Sequence, residues 1–377
     1  MNVIVIIIDA LRFNHVGCYG YQKHTTPNID KLALQSLVFE NCFAQANYTD
    51  ISLTTILSGK HPLEHGVLYH GFSSTKENMA GLSKSRTVFL QEILQSRGYR
   101  TIAIDWLGRW HKRGFDYYYG IQEKQNTASK ERIKGVAVKL LTRYPTLKKA
   151  YARLRGSSDA RDNCEKVTEE AIRQIDTSGD SNFFEFIHYW DVHPPYSPPK
   201  EHADLFPHDE DDIPLSEVFK SGMKEQAGGE YAAFQSGKHV TLNDTKRDYD
   251  GAIHWVDSQI GRLIAHLKSK GVMDQTMMVI TADHGHNFGE HGIYFDNASL
   301  FDTSIKVPLV LWYPGKSGNR IHGLEQHTDL MPTILDFLGL EIPGDIDGNI
   351  LPDNAREDVV PEAYGSRFRM IRTAEWK

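Results

Sequence analysis

Long apolar runs are missing from this chain of 377 residues. None approaches the ~20 residues that a bilayer-spanning helix requires, so no transmembrane segment is expected. Cysteine is scarce as well. Cys18, Cys42 and Cys164 form no CxxC pair, so free thiols are expected in place of a disulfide framework. Nor is there a basic excess: Lys and Arg total 42 against 49 Asp and Glu, a formal net charge of −7. Phosphate backbones select basic faces, which argues against nucleic acid as a partner. The first apolar run, Val3-Ile-Val-Ile-Ile-Ile8, begins almost at Met1, has no basic lead-in and is cut by Asp9. It is too short for a signal-peptide core, and the chain as written reads as cytoplasmic. Repeats and low-complexity tracts are absent, and nothing in the pattern fixes an oligomeric state.

Hydrophobic residues make up 40% of the chain and charged residues 24%. These are ordinary values for a soluble globular protein, and the length suffices for one large α/β domain or two. Strand and helix signals alternate. A strand over 3–8 precedes a helix over 28–36, a helical segment 53–57 that Gly59 ends, an amphipathic helix over 87–97 and a strand over 100–104. Residues 122–180 are rich in Lys, Arg, Glu and Ala and read as a helical insertion. A strand over 183–187 follows, then a polar stretch over 197–245 that reads as a cap or loop. Beyond it come a helix over 248–268, strands over 277–280 and 307–312, and a helix over 330–338. This alternation predicts an α/β fold, a mostly parallel central sheet with helices on both faces.

Chemistry concentrates at the strand ends. Thr281-Ala-Asp-His-Gly-His-Asn-Phe-Gly-Glu-His-Gly292 packs three His, two acids and three Gly behind the strand 277–280. A polar surface loop is the bland alternative, but open α/β sheets build their ligand sites at the carboxyl ends of strands. Asp9, Asp283 and His284 each follow an apolar run and can converge. Two carboxylates and an imidazole suit a divalent cation of intermediate hardness, Mn²⁺ or Zn²⁺ before Ca²⁺ or Mg²⁺. A helix cap is the plain alternative for Asp9.

Asn47-Tyr-Thr-Asp-Ile-Ser-Leu-Thr-Thr-Ile-Leu-Ser-Gly59 offers hydroxyls at a helix start. Helix N-termini bind anions, and a hydroxyl ionised by a metal can attack a phosphate or sulfate ester. Taken alone, Thr49 reads more simply as an N-cap.

Many further motifs stand in order along the chain. They include Asp9-Ala-Leu-Arg12, His15-Val-Gly-Cys-Tyr-Gly-Tyr21, Thr25-Thr-Pro-Asn-Ile-Asp30 and Leu57-Ser-Gly-Lys-His-Pro62 with His65-Gly-Val67. Gly108-Arg-Trp-His111, Gly114-Phe-Asp116, Asp191-Val-His-Pro-Pro-Tyr196 and Val307-Pro-Leu309 complete the set. Together with Thr281–Gly292 they make the chain resemble the sulfatase family of the alkaline phosphatase superfamily. The resemblance covers most of the chain and implies that fold. It implies Asp9, Thr49, Asp283 and His284 as metal ligands, with Thr49 also in the catalytic position. It implies Arg12, Arg109, His111 and His193 as groups that hold the ester. An ion pair is the simpler reading of Arg109, and a core histidine that of His193. His286 and His291 are candidate general acids. Asp191, His193 and His327 are candidates for a second metal.

Departures from the family pattern are as informative. The formylglycine motif Cys/Ser-x-Pro-x-Arg reads Thr49-Asp-Ile-Ser-Leu53. Threonine cannot become the aldehyde, and Cys42 lacks the motif. The second Asp of the usual pair is Ala10, the usual Asn after Asp283 is His284, and Asp296 stands near a position often held by Lys. The resulting expectation is a metal-dependent hydrolase of phosphate or sulfate esters with a covalent intermediate on Thr49. The substrate would be a small-molecule, glycan or lipid head-group ester. A phospho-group transferase of the phosphoglycerol or phosphoethanolamine type is the alternative, and an inactive binding protein on the same fold is the third reading. Residues 1–360 form the expected catalytic domain, and 361–377 the start of a truncated C-terminal subdomain.

Overall fold

The computed structural model describes residues 1–71, 74–120, 163–207, 213–221, 228–352, 356–363, 368–373 and 375–376. Its frame is one nine-stranded sheet. The first strand, β1 (Asn2–Ile8), is buried along its whole length. An unbroken Val/Ile run of this kind fits a strand covered on both faces. The others are β2 (Leu37–Phe43), β3 (Arg100–Ile104), β4 (Tyr117–Tyr119), β5 (Phe183–Tyr189), β6 (Thr276–Thr281), β9 (Lys306–Trp312), β10 (Asn319–Ile321) and β11 (Glu325–Gln326). A separate hairpin pairs β7 (Asn287–Phe288) with β8 (Tyr294–Asp296).

The strand order is β10-β2-β9-β6-β1-β5-β3-β4, with β11 beside β2. Within the sheet, β6, β1, β5, β3 and β4 are mutually parallel, β9 runs antiparallel to both β6 and β2, and β10 and β11 lie parallel to β2. The sheet is therefore mixed but mostly parallel. Helices lie on both faces. α1 (Pro27–Ala33) and α4 (Cys164–Thr177) both pack on α5 (Leu242–Ser269). α2 (Thr49–Ser58) packs on α3 (Leu90–Ser96) and α6 (Leu330–Phe337). No described helix is long and apolar enough to cross a membrane. All three cysteines are free thiols.

Two expected segments turn out differently. The helix read over 53–57 begins at Thr49, and the one read over 248–268 begins at Leu242, where Thr241 accepts from Asp244 N–H in a capping box. Of the expected insertion, residues 122–162 lie outside the described residues, and 164–177 form α4. The stretch 197–245 contains short helices Lys200–Ala203, Leu215–Val218 and Gly228–Ser236. At the chain's end, Asp358–Val359 pairs antiparallel with Arg372–Thr373.

A buried triad anchors the Gly228–Ser236 segment to α5. His239 Nδ1 lies 2.9 Å from Glu230 and its Nε2 2.9 Å from Asp248. Lys238 Nζ reaches Asp248 at 2.9 Å and donates to the Tyr196 carbonyl at 2.7 Å. Arg247 lies 3.6 Å from Asp248, and Thr245 donates to Glu230 at 3.3 Å. Burial pulls the His239 pKa down, but the bonds to Asp248 and Glu230 outweigh it and raise the pKa above 6.5. The linked stabilisation is complete below the unfolded value and is lost as pH rises through the higher folded value. Amide hydrogen exchange, corrected for its intrinsic pH dependence, should therefore show residues 228–239 better protected at pH 6 than at pH 9. His239→Gln should remove that difference.

Candidate active site

Four adjacent parallel strands, β6, β1, β5 and β3, deliver polar side chains to one end of the sheet. Asp9 follows β1 directly, Asp105 follows β3, and Asp283 stands two residues past β6. His188 is the penultimate residue of β5, and Ile7 pairs in register with both His188 and Thr281. Ligand atoms of Asp9, His188 and Asp283 all lie within 4.8 Å of one another, and all three residues are buried. His188 Nε2 is 3.8 Å from Asp9 Oδ2, while its Nδ1 is 2.9 Å from Asp105 Oδ1. Because a carboxylate only accepts, Nδ1 carries a proton toward Asp105, and Nε2 is the ring nitrogen that faces Asp9 and Asp283.

Backbone geometry closes this end of the sheet. Ala10 adopts a left-handed φ of 57°. Its N–H donates to Asp283 Oδ1 at 3.1 Å, and its carbonyl accepts from Tyr249 Oη at 2.8 Å. Asp283 Oδ1 also accepts from His284 N–H at 2.9 Å. Burial pushes the Asp283 carboxyl up, but His284, His188 and the Ala10 N–H together bring it below 3.8. After Asp283-His284 comes Gly285, where a Cβ would meet the Thr303 carbonyl oxygen at 2.0 Å. Glycine is thus the residue that lets this loop pass.

The expected residues Asp9, Thr49, Asp283 and His284 are brought together. His284 Nδ1 is 2.8 Å from the Gly285 carbonyl, which fixes its proton there. Its Nε2 lies 3.3 Å from Asp283 Oδ2, 3.8 Å from Asp9 Oδ1 and 3.3 Å from Thr49 Oγ1. Thr49 is not an N-cap. The extended cap residue is Tyr48, and Thr49 is the first residue of α2. Every residue of α2 is buried, and Gly59 ends it at φ 65° with its N–H on the Thr55 carbonyl. Thr49 therefore sits on a rigid core helix, 2% exposed.

The donor set fits a divalent cation. His188 Nε2 and Asp283 Oδ2 are buried without a hydrogen-bond partner, an arrangement that is costly unless something else satisfies them. Two carboxylates and two neutral imidazoles favour Mn²⁺ or Zn²⁺, since Ca²⁺ takes six to eight oxygens.

Around Thr49 the charges come in pairs. Asp50 Oδ2 receives Arg109 Nη1 at 2.5 Å, His70 Nδ1 at 2.9 Å and the Gly71 N–H at 2.8 Å. Burial raises the Asp50 carboxyl, but His70, His111 and Arg109 together bring it down to about 2. Arg12 Nη1 is 2.7 Å from Glu290 Oε1, and its Nε donates to Asn14 at 3.0 Å. His111 lies 3.4 Å from Thr54 Oγ1, one turn into α2. His193 Nδ1 is 2.8 Å from the Pro194 carbonyl.

Other expected residues are not gathered. The second metal set is dispersed: Asp191 accepts from the Cys164 N–H at the start of α4, and His193 turns to the Pro194 carbonyl. His327 is buried near Asp283 and His284, and burial holds its pKa at about 4. Among the described residues the one gathered set is Asp9, His188 and Asp283. His286 is buried beside Phe288, with its Nε2 unpartnered. Burial, then His193, His284 and Arg12, push its pKa well below 6.5. His291 is exposed, at φ 56°, and stacks on Phe301 with centroids 3.6 Å apart. Asp296 turns away and accepts the Asn297 and Ala298 N–H groups. Its neighbour Asn297 faces the cluster, with Nδ2 3.1 Å from His284 Nε2.

Three residues escaped the sequence reading: His188, Asp105 and Asn297. For His188 a signal existed. It is a polar residue at the end of an apolar run, as Asp9 is, but β5 extends two residues beyond the expected strand and so carries it on the sheet. Asp105 also follows an apolar strand, but its bonds to His188 and Tyr118 come from other strands.

Comparison with known proteins agrees with this architecture. A 26% identity relates the chain to an N-acetylglucosamine-6-O-sulfatase of Bacteroides thetaiotaomicron, over 92% of this chain and 69% of that one. An arylsulfatase of Clostridium perfringens is likewise 26% identical, over 94% and 78%. A solved structure holding its substrate D-glucosamine-2-N,6-O-disulfate superposes with a TM-score of 0.71 at 21% identity, over 99% of this chain and 87% of that one. A phosphonate monoester hydrolase from Silicibacter pomeroyi does so at 0.68 and 20% identity, over 96% and 79%. The sulfatase profile itself matches residues 1–340, and the chain belongs to the sulfatase family.

Proposed function

We propose that this protein hydrolyses sulfate or phosphorus esters by attack of the Thr49 hydroxyl, without formylglycine, at a divalent-cation site formed by Asp9, His188, Asp283 and His284. One observation carries the reading: Thr49 Oγ1 stands at the buried start of α2, 3.3 Å from His284 Nε2 and beside the two buried carboxylates. A cation bound there would polarise the ester and lower the pKa of a coordinated hydroxyl. Thr49 attacks in line, the ester alcohol departs, and a covalent sulfo- or phospho-threonine remains until water displaces it. The first N–H groups of α2 point at the developing charge and help hold it. Arg109, fixed on Asp50 next to Thr49, is the cation best supported for the ester's outer oxygens, with His111 and His193 as lesser candidates. Arg12, tied to Glu290, walls the same pocket.

Phosphorus esters are favoured over sulfates. A sulfated alcohol side chain is a poor substrate for water, and here neither Thr49 nor the buried Cys42 supplies the aldehyde hydrate that expels sulfate by elimination. The second reading, transfer to an acceptor alcohol in place of water, shares every step up to the covalent intermediate.

Turnover of nitrophenyl sulfate, nitrophenyl phosphate, bis(nitrophenyl) phosphate and a phenylphosphonate ester should be compared after loading with Mn²⁺, Zn²⁺ or Ca²⁺. We expect phosphorus esters to lead, and a lead for the sulfate would reverse the preference. Thr49→Ala should lower kcat by ~10³-fold or more and abolish covalent labelling seen by intact mass. Undiminished turnover in that variant would remove Thr49 from the mechanism. Exhaustive chelation should abolish activity and lower Tm, because a ligand that binds only the native state stabilises it. Mn²⁺ or Zn²⁺ should restore both better than Ca²⁺.

A further inference from the structure

We propose that Asp105 is a positioning residue shared by the two halves of the site, aiming His188 at the cation and setting the loop that carries Arg109 and His111. The inference rests on the cation site proposed above. Asp105 is 2% exposed and ends β3, on the far side of β5 from Asp9. Its Oδ1 accepts from His188 Nδ1 at 2.9 Å and from the Leu107 N–H at 3.2 Å. Its Oδ2 accepts from the Tyr118 hydroxyl. The Tyr118 oxygen in turn accepts the Gly108 N–H at 3.1 Å.

Each of these bonds has a separate consequence. The bond to His188 holds a proton on Nδ1, so Nε2 is the ring nitrogen that faces Asp9 and Asp283. Such outer carboxylates orient a ligating imidazole and raise its basicity. The path through Tyr118 holds Gly108, at φ 65°, and then Arg109, at φ 58°. Two successive residues at positive φ need outside support, since the second has a side chain. That turn brings Arg109 onto Asp50 and His111 onto Thr54. One carboxylate therefore sets the register of the metal side against the anion side, across Thr49.

Asparagine at position 105 keeps one acceptor but loses the charge and the Tyr118 acceptor. Phenylalanine at 118 cuts only the loop branch. Calorimetric titration with Mn²⁺ alone, on metal-free wild type, His188→Ala, Asp105→Asn and Tyr118→Phe, separates the branches, with KM and kcat measured on the best nitrophenyl ester. Asp105→Asn should weaken Mn²⁺ binding ~10- to 100-fold and raise KM. Tyr118→Phe should raise KM while leaving Mn²⁺ affinity unchanged. A folded Asp105→Asn that binds Mn²⁺ like wild type overturns the proposal, as does a Tyr118→Phe with wild-type KM. The second arm decides alone if Asp105→Asn melts below assay temperature. If His188→Ala itself leaves Mn²⁺ affinity unchanged, the cation site as drawn fails, a result distinct from failure of Asp105.

Discussion

Asp9 and Asp283 are both fully buried, on adjacent strands, with ligand oxygens inside one 4.8 Å cluster. Two carboxylates at that separation repel by roughly 3–4 kcal/mol at an effective dielectric near 20, before any cost of dehydration. The neighbouring His284 and His188 offset part of this, and with the Ala10 N–H they bring the Asp283 carboxyl below 3.8. Backbone also holds the Asp283 carboxylate in place, with the Ala10 and His284 N–H groups donating to its Oδ1. The sheet thus stores a negative, oxygen- and nitrogen-lined point at its carboxyl end. A divalent cation at the site proposed above would match that charge, and protein stability and catalysis would then be coupled at one place.

The rest of the site is arranged around that point by rigid elements. α2 is buried on every side, so Thr49 has no freedom to swing away from His284. The loop after β6 threads past Thr303 through Gly285 and returns through Glu290, which grips Arg12 from the loop after β1. Neighbouring strand-end loops are therefore tied to one another as well as to the sheet. Tyr249, on α5, bonds both the Ala10 carbonyl and the Arg12 N–H, and Tyr196 and Phe288 pack edge-on against it.

Much of this was legible in the sequence because it depends on local pattern. The Val/Ile run of β1, the apolar run of β6 and the Gly-ended helices announce themselves, and with them the positions of Asp9, Asp283 and Thr49. Strand β2 did not: Glu40 and Asn41 interrupt its apolar character, and its pairing register shifts between Phe39 and Cys42. The antiparallel course of β9 was equally hidden, since direction is set by where a chain returns and not by its composition. Within the site, residues whose role lies in a partner on another strand stayed invisible. Asp191 and His193 sit in a motif, but Asp191 accepts the distant Cys164 N–H and His193 meets the adjacent Pro194 carbonyl, while His188 and Asp105 sit in no motif and meet only in three dimensions.

Charge pairing explains how the pocket differs from one built of unopposed cations. Arg109 is matched by Asp50, and Arg12 by Glu290, each at hydrogen-bonding distance and largely shielded from water. The neutral amide of Asn297 faces His284. A buried cation already paired attracts an incoming anion less than an unpaired one would, since its field is partly cancelled at the same radius. The remaining pull on an ester oxygen comes from the α2 N-terminus and from whatever charge the strand-end carboxylates hold. With the cation site proposed above, anion recognition and cation binding would be a single event: loading the carboxylate cluster would reverse the sign of the potential in front of Thr49. On this arrangement, substitutions that weaken the cation weaken ester binding with it. Neutralising Asp50 would act oppositely, by uncovering the Arg109 charge that Asp50 now offsets.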